Sequence, residues 1–412
     1  MHALTRRSFF QLGLGALAGL ALSRRAGAAT PKRPRSCILL YMEGGPSQID
    51  TWDPKPGRPT GGEFKAIGTK VAGLQVSEHL PLLAARAHAL AVVRSVTSKE
   101  GNHQRARHLM HTGYPPQGGV QHPALGAIVG EIRGAGGKEL PAYVSVAGPG
   151  EDAGFLSPAL SPFIVQKPAQ GVKFLAHAGG IDDARFAERL GLWRGLEDGF
   201  AAAHPDAALV SGQRALGEQA VAMMGAHATA AFKIEEEPQG LRDAYGDSDI
   251  GAGCLMARRL VEAGVPFVEV TQKGWDTHKD NFTTVKQLST HLDQAMSSLL
   301  DDLARRGLLE STLVLWMGYF GRTPRINANA GRDHFPQASS VVFAGGGVRG
   351  GQVLGATDAD GIEIRDRPVT VPDLFRTIAK LLGVDPDVVR VAPSGRPIKT
   401  VDGGQLVNEL LA

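Results

Sequence analysis

The chain has 412 residues, 44 of them basic and 41 acidic, with 43% hydrophobic residues, 53 glycines and 25 prolines. That composition excludes a disordered, collagen-like or coiled-coil chain and fits a loop-rich globular protein with one large domain or two modest ones. The slight positive balance belongs to residues 1–28, which carry four arginines and no acid. The remainder has 40 basic and 41 acidic residues, a formal charge of −1, which argues against a nucleic-acid partner.

In chain order, Arg6 and Arg7 precede Ser8, Phe9 and Phe10, an uncharged Gly/Ala/Leu run over 12–22, and Ala26-Gly27-Ala28. This is the pattern of a twin-arginine export signal cleaved after Ala28. It predicts the twin-arginine translocase as a partner during export and a periplasmic or secreted mature chain. The run falls short of the roughly 20 apolar residues that span a bilayer, so no stable membrane anchor is expected. Residues 29–35 read as an extended leader to the mature domain, 29–412.

Apolar runs bounded by Gly or Pro at 37–42, 91–94, 143–147, 267–271, 312–317 and 340–344 predict strands buried on both faces. Helical patterns fall at 77–89, 104–111, 123–132, 184–196, 210–233, 251–263, 285–306 and 371–382. The alternation predicts an α/β fold, a sandwich around a mostly parallel sheet. Over 157–247 helix patterns dominate with no strand, which reads as a helical insertion. Cys37 and Cys254 each sit in an apolar pattern and read as buried free thiols.

Four polar stretches follow predicted strands, where open α/β sheets place their sites. In the first, 43–56, glycines let the backbone turn and bring Glu43 or Asp50 toward a metal or anion. In the second, His103, Arg107 and His111 recur every four residues and share a helix face suited to an oxyanion, whereas Arg105, His108 and His111 also fit a solvated basic face. The third, 273–281, holds Asp276 and His278. The fourth, 321–336, holds Arg322, Asp333 and His334. Two Asp/His pairs behind two strands predict a shared divalent metal, zinc first, with calcium or magnesium as alternatives. Residues 345–350 match G-x-G-x-x-G, but no helical pattern follows, so the dinucleotide reading fails.

Longer motifs carry a resemblance. GGPSQIDTWDPKP (44–56), ARRLVEAGVPFVEV (257–270), GWDTHKDNF (274–282), FGRTPRINANAGRDHFP (320–336) and PVTVPDLFRTIAKLLGV (368–384) run behind the export signal in the same order as in a large twin-arginine-exported bacterial family of unknown function. That family is classed with the alkaline phosphatase and sulfatase superfamily. The resemblance implies an alkaline phosphatase-like α/β/α sandwich holding one or two divalent metals beside a nucleophile that attacks phosphate or sulfate esters. Glu43 then resembles the first metal-binding acid, Asp276 and His278 the middle metal pair, and His334 the late metal histidine. Asp276, His278 and His334 are expected to converge within metal-ligand reach, with Asp50, Glu43 or Asp333 adding oxygen. His103 falls in the nucleophile's place and Arg107 in that of an anion-holding arginine.

Two departures follow. His103 is not Ser, Thr or Cys, leaving Ser95 and Thr97 as nearby hydroxyls, and Tyr319 stands where relatives carry Glu, although a phenol is a poorer ligand for a hard cation. The expectation is an exported metal-dependent hydrolase with at most one tightly held metal, with Arg107 or Arg322 holding the oxygens of a small anionic ester or of a sulfated or phosphorylated glycan. The alternative is a non-catalytic metal-binding relative that binds an anionic ligand or partner protein.

Overall fold

The structure, a computed structural model, describes residues 35–412 except 117, 135–138, 174 and 205–207. The export signal and residues 29–34 lie outside the described residues. A nine-stranded sheet forms the centre. Its strands are β1 (Ser36–Met42), β2 (Leu90–Thr97), β3 (Tyr143–Val146), β4 (Phe163–Val165), β5 (Phe267–Gln272), β6 (Thr312–Gly318), β7 (Ser339–Gly345), β8 (Gln352–Leu354) and β9 (Val369–Thr370). The order across it is β8-β2-β7-β6-β1-β5-β3-β4, with β9 also pairing β2. Among the described residues β7 alone runs antiparallel to its sheet neighbours.

β1 lies at the middle, between β5 and β6, and all seven of its residues are buried. Ile38, Leu40 and Met42 pack with α3 (Asp249–Glu262) and α4 (Asn281–Arg305) on one face. Cys37, Leu39 and Tyr41 pack with α1 (His103–Thr112), α2 (Leu125–Arg133) and α5 (Val371–Leu382) on the other. This two-faced burial is why the strand reads as an unalternated apolar run, and it makes the molecule the expected α/β/α sandwich. Cys37 and Cys254 are buried in opposite layers and both are free.

The helices start where their chemistry says. Asn102 caps α1 by accepting from the Arg105 amide, and Thr370 forms a capping box with Asp373 at α5. The pattern at 77–89 instead gives a strand, Gln75–Ser77, and a short helix, Pro81–Ala85. Pro81 sets that helix's start, and the Asp293 carboxylate accepts from the Leu82 and Leu83 amides at 2.9 and 2.8 Å. The pattern at 210–233 is two helices, Ala208–Ala222 and Ala226–Ala231.

The segment 157–247 is mostly helical but not strand-free. β4 lies inside it and pairs parallel with β3 at the sheet edge. β4, β8 and β9 have two or three residues each, too few to show a period in sequence. No helix among the described residues is long and apolar enough to cross a membrane.

Candidate metal centre

β1, β2, β5 and β6 run in one direction, so the loops that follow them meet at one end of the sheet. The loop after β1 approaches the loop after β5 closely. The Glu43 amide donates to the Gln272 carbonyl at 2.9 Å, and the Trp275 amide donates to the Glu43 carbonyl at 3.1 Å. Gly44 sits at φ 116°, and a Cβ there would lie 2.4 Å from the Asp276 amide nitrogen, so only glycine permits this approach. The loops after β5 and β6 are stitched together. Arg332 N donates to Thr277 O at 2.9 Å, Asn281 N to Ala330 O at 3.0 Å, and the Asn327 side-chain amide to His278 O at 3.0 Å.

These backbones bring Asp276, His278 and His334 together. Asp276 Oδ1 lies 3.2 Å from His278 Nε2 and 3.3 Å from His334 Nε2, and the two imidazole nitrogens are 3.0 Å apart. On the other carboxylate oxygen, Asp276 Oδ2 meets His103 Nε2 at 3.2 Å. One donor atom from each of His103, Asp276 and His334 falls within a 4.8 Å group. Behind the cluster, Arg322 is wholly buried and donates to Asp276 Oδ1 at 2.6 Å, to the Gly45 carbonyl at 2.9 Å and also to the Gly44 carbonyl. Burial works against ionising Asp276, but the hydrogen bond and charge of Arg322, with His103 and His278, outweigh it and hold the carboxyl below its usual range. Asp333 is likewise held low, chiefly by its hydrogen bond with His278.

The outer partners fix the tautomers. His334 Nδ1 is 2.7 Å from the Gly101 carbonyl, which can only accept, and His278 Nδ1 is 2.8 Å from the Asp333 carboxylate. Both Nδ1 atoms therefore carry protons, which leaves the two Nε2 atoms, beside each other and Asp276 Oδ1, as the nitrogens that can offer lone pairs to a shared cation. Three acceptors converge with one donor, Arg322, among them. A cation between them, metal or proton, relieves that repulsion. Imidazoles whose remote nitrogens donate to a carboxylate or carbonyl are also the usual arrangement around a bound metal. The donor set, imidazole nitrogen with one carboxylate, suits zinc better than calcium or magnesium.

Other predicted site residues take different places. Asp50 is not in the cluster. It is wholly buried, paired with Arg332 at 2.7 and 3.0 Å, and accepts from the Asn281 side chain at 2.9 Å, so no oxygen is left for an ion. Asp333 stands behind His278. Glu43 lies at the same end of the sheet, close enough to Tyr319 for its charge to act on the phenol, and its Oε2 is buried without a hydrogen-bond partner. Arg107 turns from the cluster to Glu151, at 3.2 Å, and to the Gly150 carbonyl. Arg322 holds Asp276 and is not exposed to a ligand. Ser95 is buried and donates to the Arg367 carbonyl at 2.5 Å.

His111 corrects the solvated-face reading. It is buried, 3.2 Å from Glu269 Oε1, while the Tyr143 hydroxyl donates to Glu269 Oε2 at 2.7 Å. Tyr319 is 5% exposed, with its ring 5.4 Å from Tyr41 and 5.5 Å from His103. Burial first, then Glu43, pushes its pKa up. Sequence reasoning missed Glu269, Tyr41 and the Gly101 carbonyl. The one legible signal was an acid, Glu269, inside the apolar run of β5.

Fold and cluster together define an α/β/α protein with a His/Asp centre at the carboxyl edge of its parallel strands. The family described as Protein of unknown function (DUF1501) matches residues 34–411, and the chain belongs to it. No curated protein matches the sequence. Among solved structures it is similar to the PsFucS1 sulfatase from Pseudoalteromonas sp., at 14% identity and TM-score 0.41 over 94% of this chain and 74% of that one. It is also similar to Ps i-CgsB, at 12% identity and TM-score 0.42 over 85% and 72%. A TAB5 alkaline phosphatase mutant with Mg bound matches at 13% identity and TM-score 0.35 over 86% and 100%.

Proposed function

We propose that the protein is an exported divalent-metal-dependent hydrolase of phosphate or sulfate esters, with zinc as the metal. The observation that carries this reading is the convergence of His278 Nε2, His334 Nε2 and Asp276 Oδ1 within 3.0–3.3 Å, with both imidazole protons committed outward. Asp276, His278 and His334 would hold the ion, whose bound role is Lewis acidity toward an ester oxygen. Arg322 keeps Asp276 ionised and oriented. No hydroxyl or thiol side chain hydrogen-bonds to His103, Asp276 or His334 among the described residues. In this reading water is the nucleophile, and His103, whose Nε2 faces the accepting Asp276 Oδ2, takes its proton on Nδ1. The resemblance in the sequence motifs supports the ester class, with a small anionic ester or a sulfated or phosphorylated glycan as substrate. Export rests on Arg6 and Arg7, and a precursor with both changed to lysine should stay in the cytoplasm; normal export of that variant removes this part of the reading.

The second reading, a non-catalytic metal-binding relative that holds an anionic ligand or partner protein, is favoured by Tyr319 and by the missing hydroxyl nucleophile. Elemental analysis of purified protein, paired with hydrolysis of nitrophenyl phosphate and nitrophenyl sulfate, separates the readings. We expect about one equivalent of metal, lost in Asp276→Ala and His334→Ala, and turnover that falls with it and in His103→Ala. Metal without turnover supports the second reading. A folded chain that binds no zinc when supplied with it overturns both.

A further inference from the structure

The helix Asp183–Ala203 has 21 residues and none of them is buried. Phe186, Leu190, Trp193, Glu197 and Ala201 are half-buried, one face at helical spacing. That face is held to the helix Ala208–Ala222. A Cβ on Gly217 would lie 2.5 Å from the Trp193 ring, and Arg194–Glu218 and Arg214–Asp198 pair at 2.6 and 2.5 Å. Roughly 100° around the helix from that face stand Leu192, Leu196 and Phe200, which are 72, 75 and 54% exposed. One residue before each stands a glycine: Gly191, Gly195 and Gly199. A Cβ added at any of them would meet nothing within 4 Å among the described residues. Glycine inside a helix is destabilising relative to alanine, and here no packing within the described chain requires it at any of the three positions.

We propose that this helix face is a self-association surface, docking against the same helix of a second copy of the chain. The ridge 192-196-200 and the furrow 191-195-199 lie side by side with the same four-residue period. In a two-fold pair the large side chains of each copy therefore drop into the glycine furrow of the other, the geometry of ridges in grooves at a crossing near −40 to −50°. The complementarity is of the helix to itself. A lipid surface is a poorer occupant, because it rewards a broad apolar face, and half of this stripe is glycine with Glu188 and Arg189 close by. A single helix of about 32 Å crossed at this angle buries less than the roughly 800 Å² per partner of a standard interface, so the dimer is weak and concentration-dependent.

The test is sedimentation velocity of the purified chain from about 1 to 200 µM, with thermal melts as the folding control. We expect reversible monomer–dimer exchange, weakened at least about tenfold by Leu196→Asp and by Gly195→Leu. Gly195→Leu fills the furrow while improving helix propensity, so its melt should not fall. Because both native cysteines are buried, Leu196→Cys should give a disulfide-linked dimer on mild oxidation. A strictly monomeric chain at the highest concentration overturns the proposal. So does a Gly195→Leu variant that dimerises like the parent, or flotation with phosphatidylcholine vesicles in place of self-association.

Discussion

Asp50→Asn separates a structural acid from a metal ligand. Asp50 and Arg332 are both wholly buried and joined by two hydrogen bonds of 2.7 and 3.0 Å, with a third from Asn281 at 2.9 Å. Arg332 has further acceptors in the carbonyls of Thr60, Thr323 and Pro324, so the guanidinium keeps hydrogen bonds when the carboxylate is neutralised but loses its counter-charge. Breaking a buried pair by removing one partner costs about 3–5 kcal/mol, and the amide still accepts a bond, which places this change near 3 kcal/mol. For a chain of this size that is a fall in Tm of roughly 4 °C. Calorimetry reads the stability and elemental analysis reads the metal in the same preparation. Metal stoichiometry should stay unchanged below the new melting point, because Asp50 has no free oxygen facing the cluster. A variant that melts like the parent but has lost its metal would refute the placement.

Two more outcomes follow from the same geometry. Tyr319→Glu sets a carboxylate beside Glu43, whose Oε2 has no hydrogen-bond partner, and should raise metal content above that of the parent, while Tyr319→Phe leaves it unchanged; equal metal in the parent and a folded Tyr319→Glu variant would show that position 319 does not face the ion. Glu269→Gln should destabilise most between pH 4.5 and 6.5. Burial opposes both charges, yet the pairing holds the Glu269 carboxyl below 4.5 and the His111 imidazole above 6.5, so the carboxylate's contribution is lost as pH falls through its lowered pKa and the imidazolium's as pH rises through its raised one. A parent-minus-variant difference in Tm that is flat from pH 4 to 9 would mean the pair is not ionised.

How far the sequence speaks depends on how local each feature's cause is. The six strands of four or more residues are visible because a strand buried on both faces is apolar along most of its length, and each was placed to within three residues at either end. β4, β8 and β9 are held by pairing partners distant in sequence, and nothing in two or three residues announces that. The same division runs through the candidate site. Asp276 and His278 sit in a Gly-bounded loop just after buried β5, so strand direction carries them to the site, whereas His334 is returned to it by a two-residue strand, His334–Phe335, paired with Gly321–Arg322. Asp50 is also an acid in a loop after a buried strand, yet Arg332, 282 residues away, takes both of its oxygens. A motif states which side chains reach one end of the sheet, but not which of them a buried arginine has already claimed. That choice belongs to long-range packing. It is also what makes Arg322 and Arg332 informative as a pair: each is wholly buried and each holds one acid, but only Arg322 leaves part of its carboxylate, Asp276 Oδ2, turned toward an imidazole and solvent. The acid that can meet a ligand is the one its arginine holds by a single oxygen.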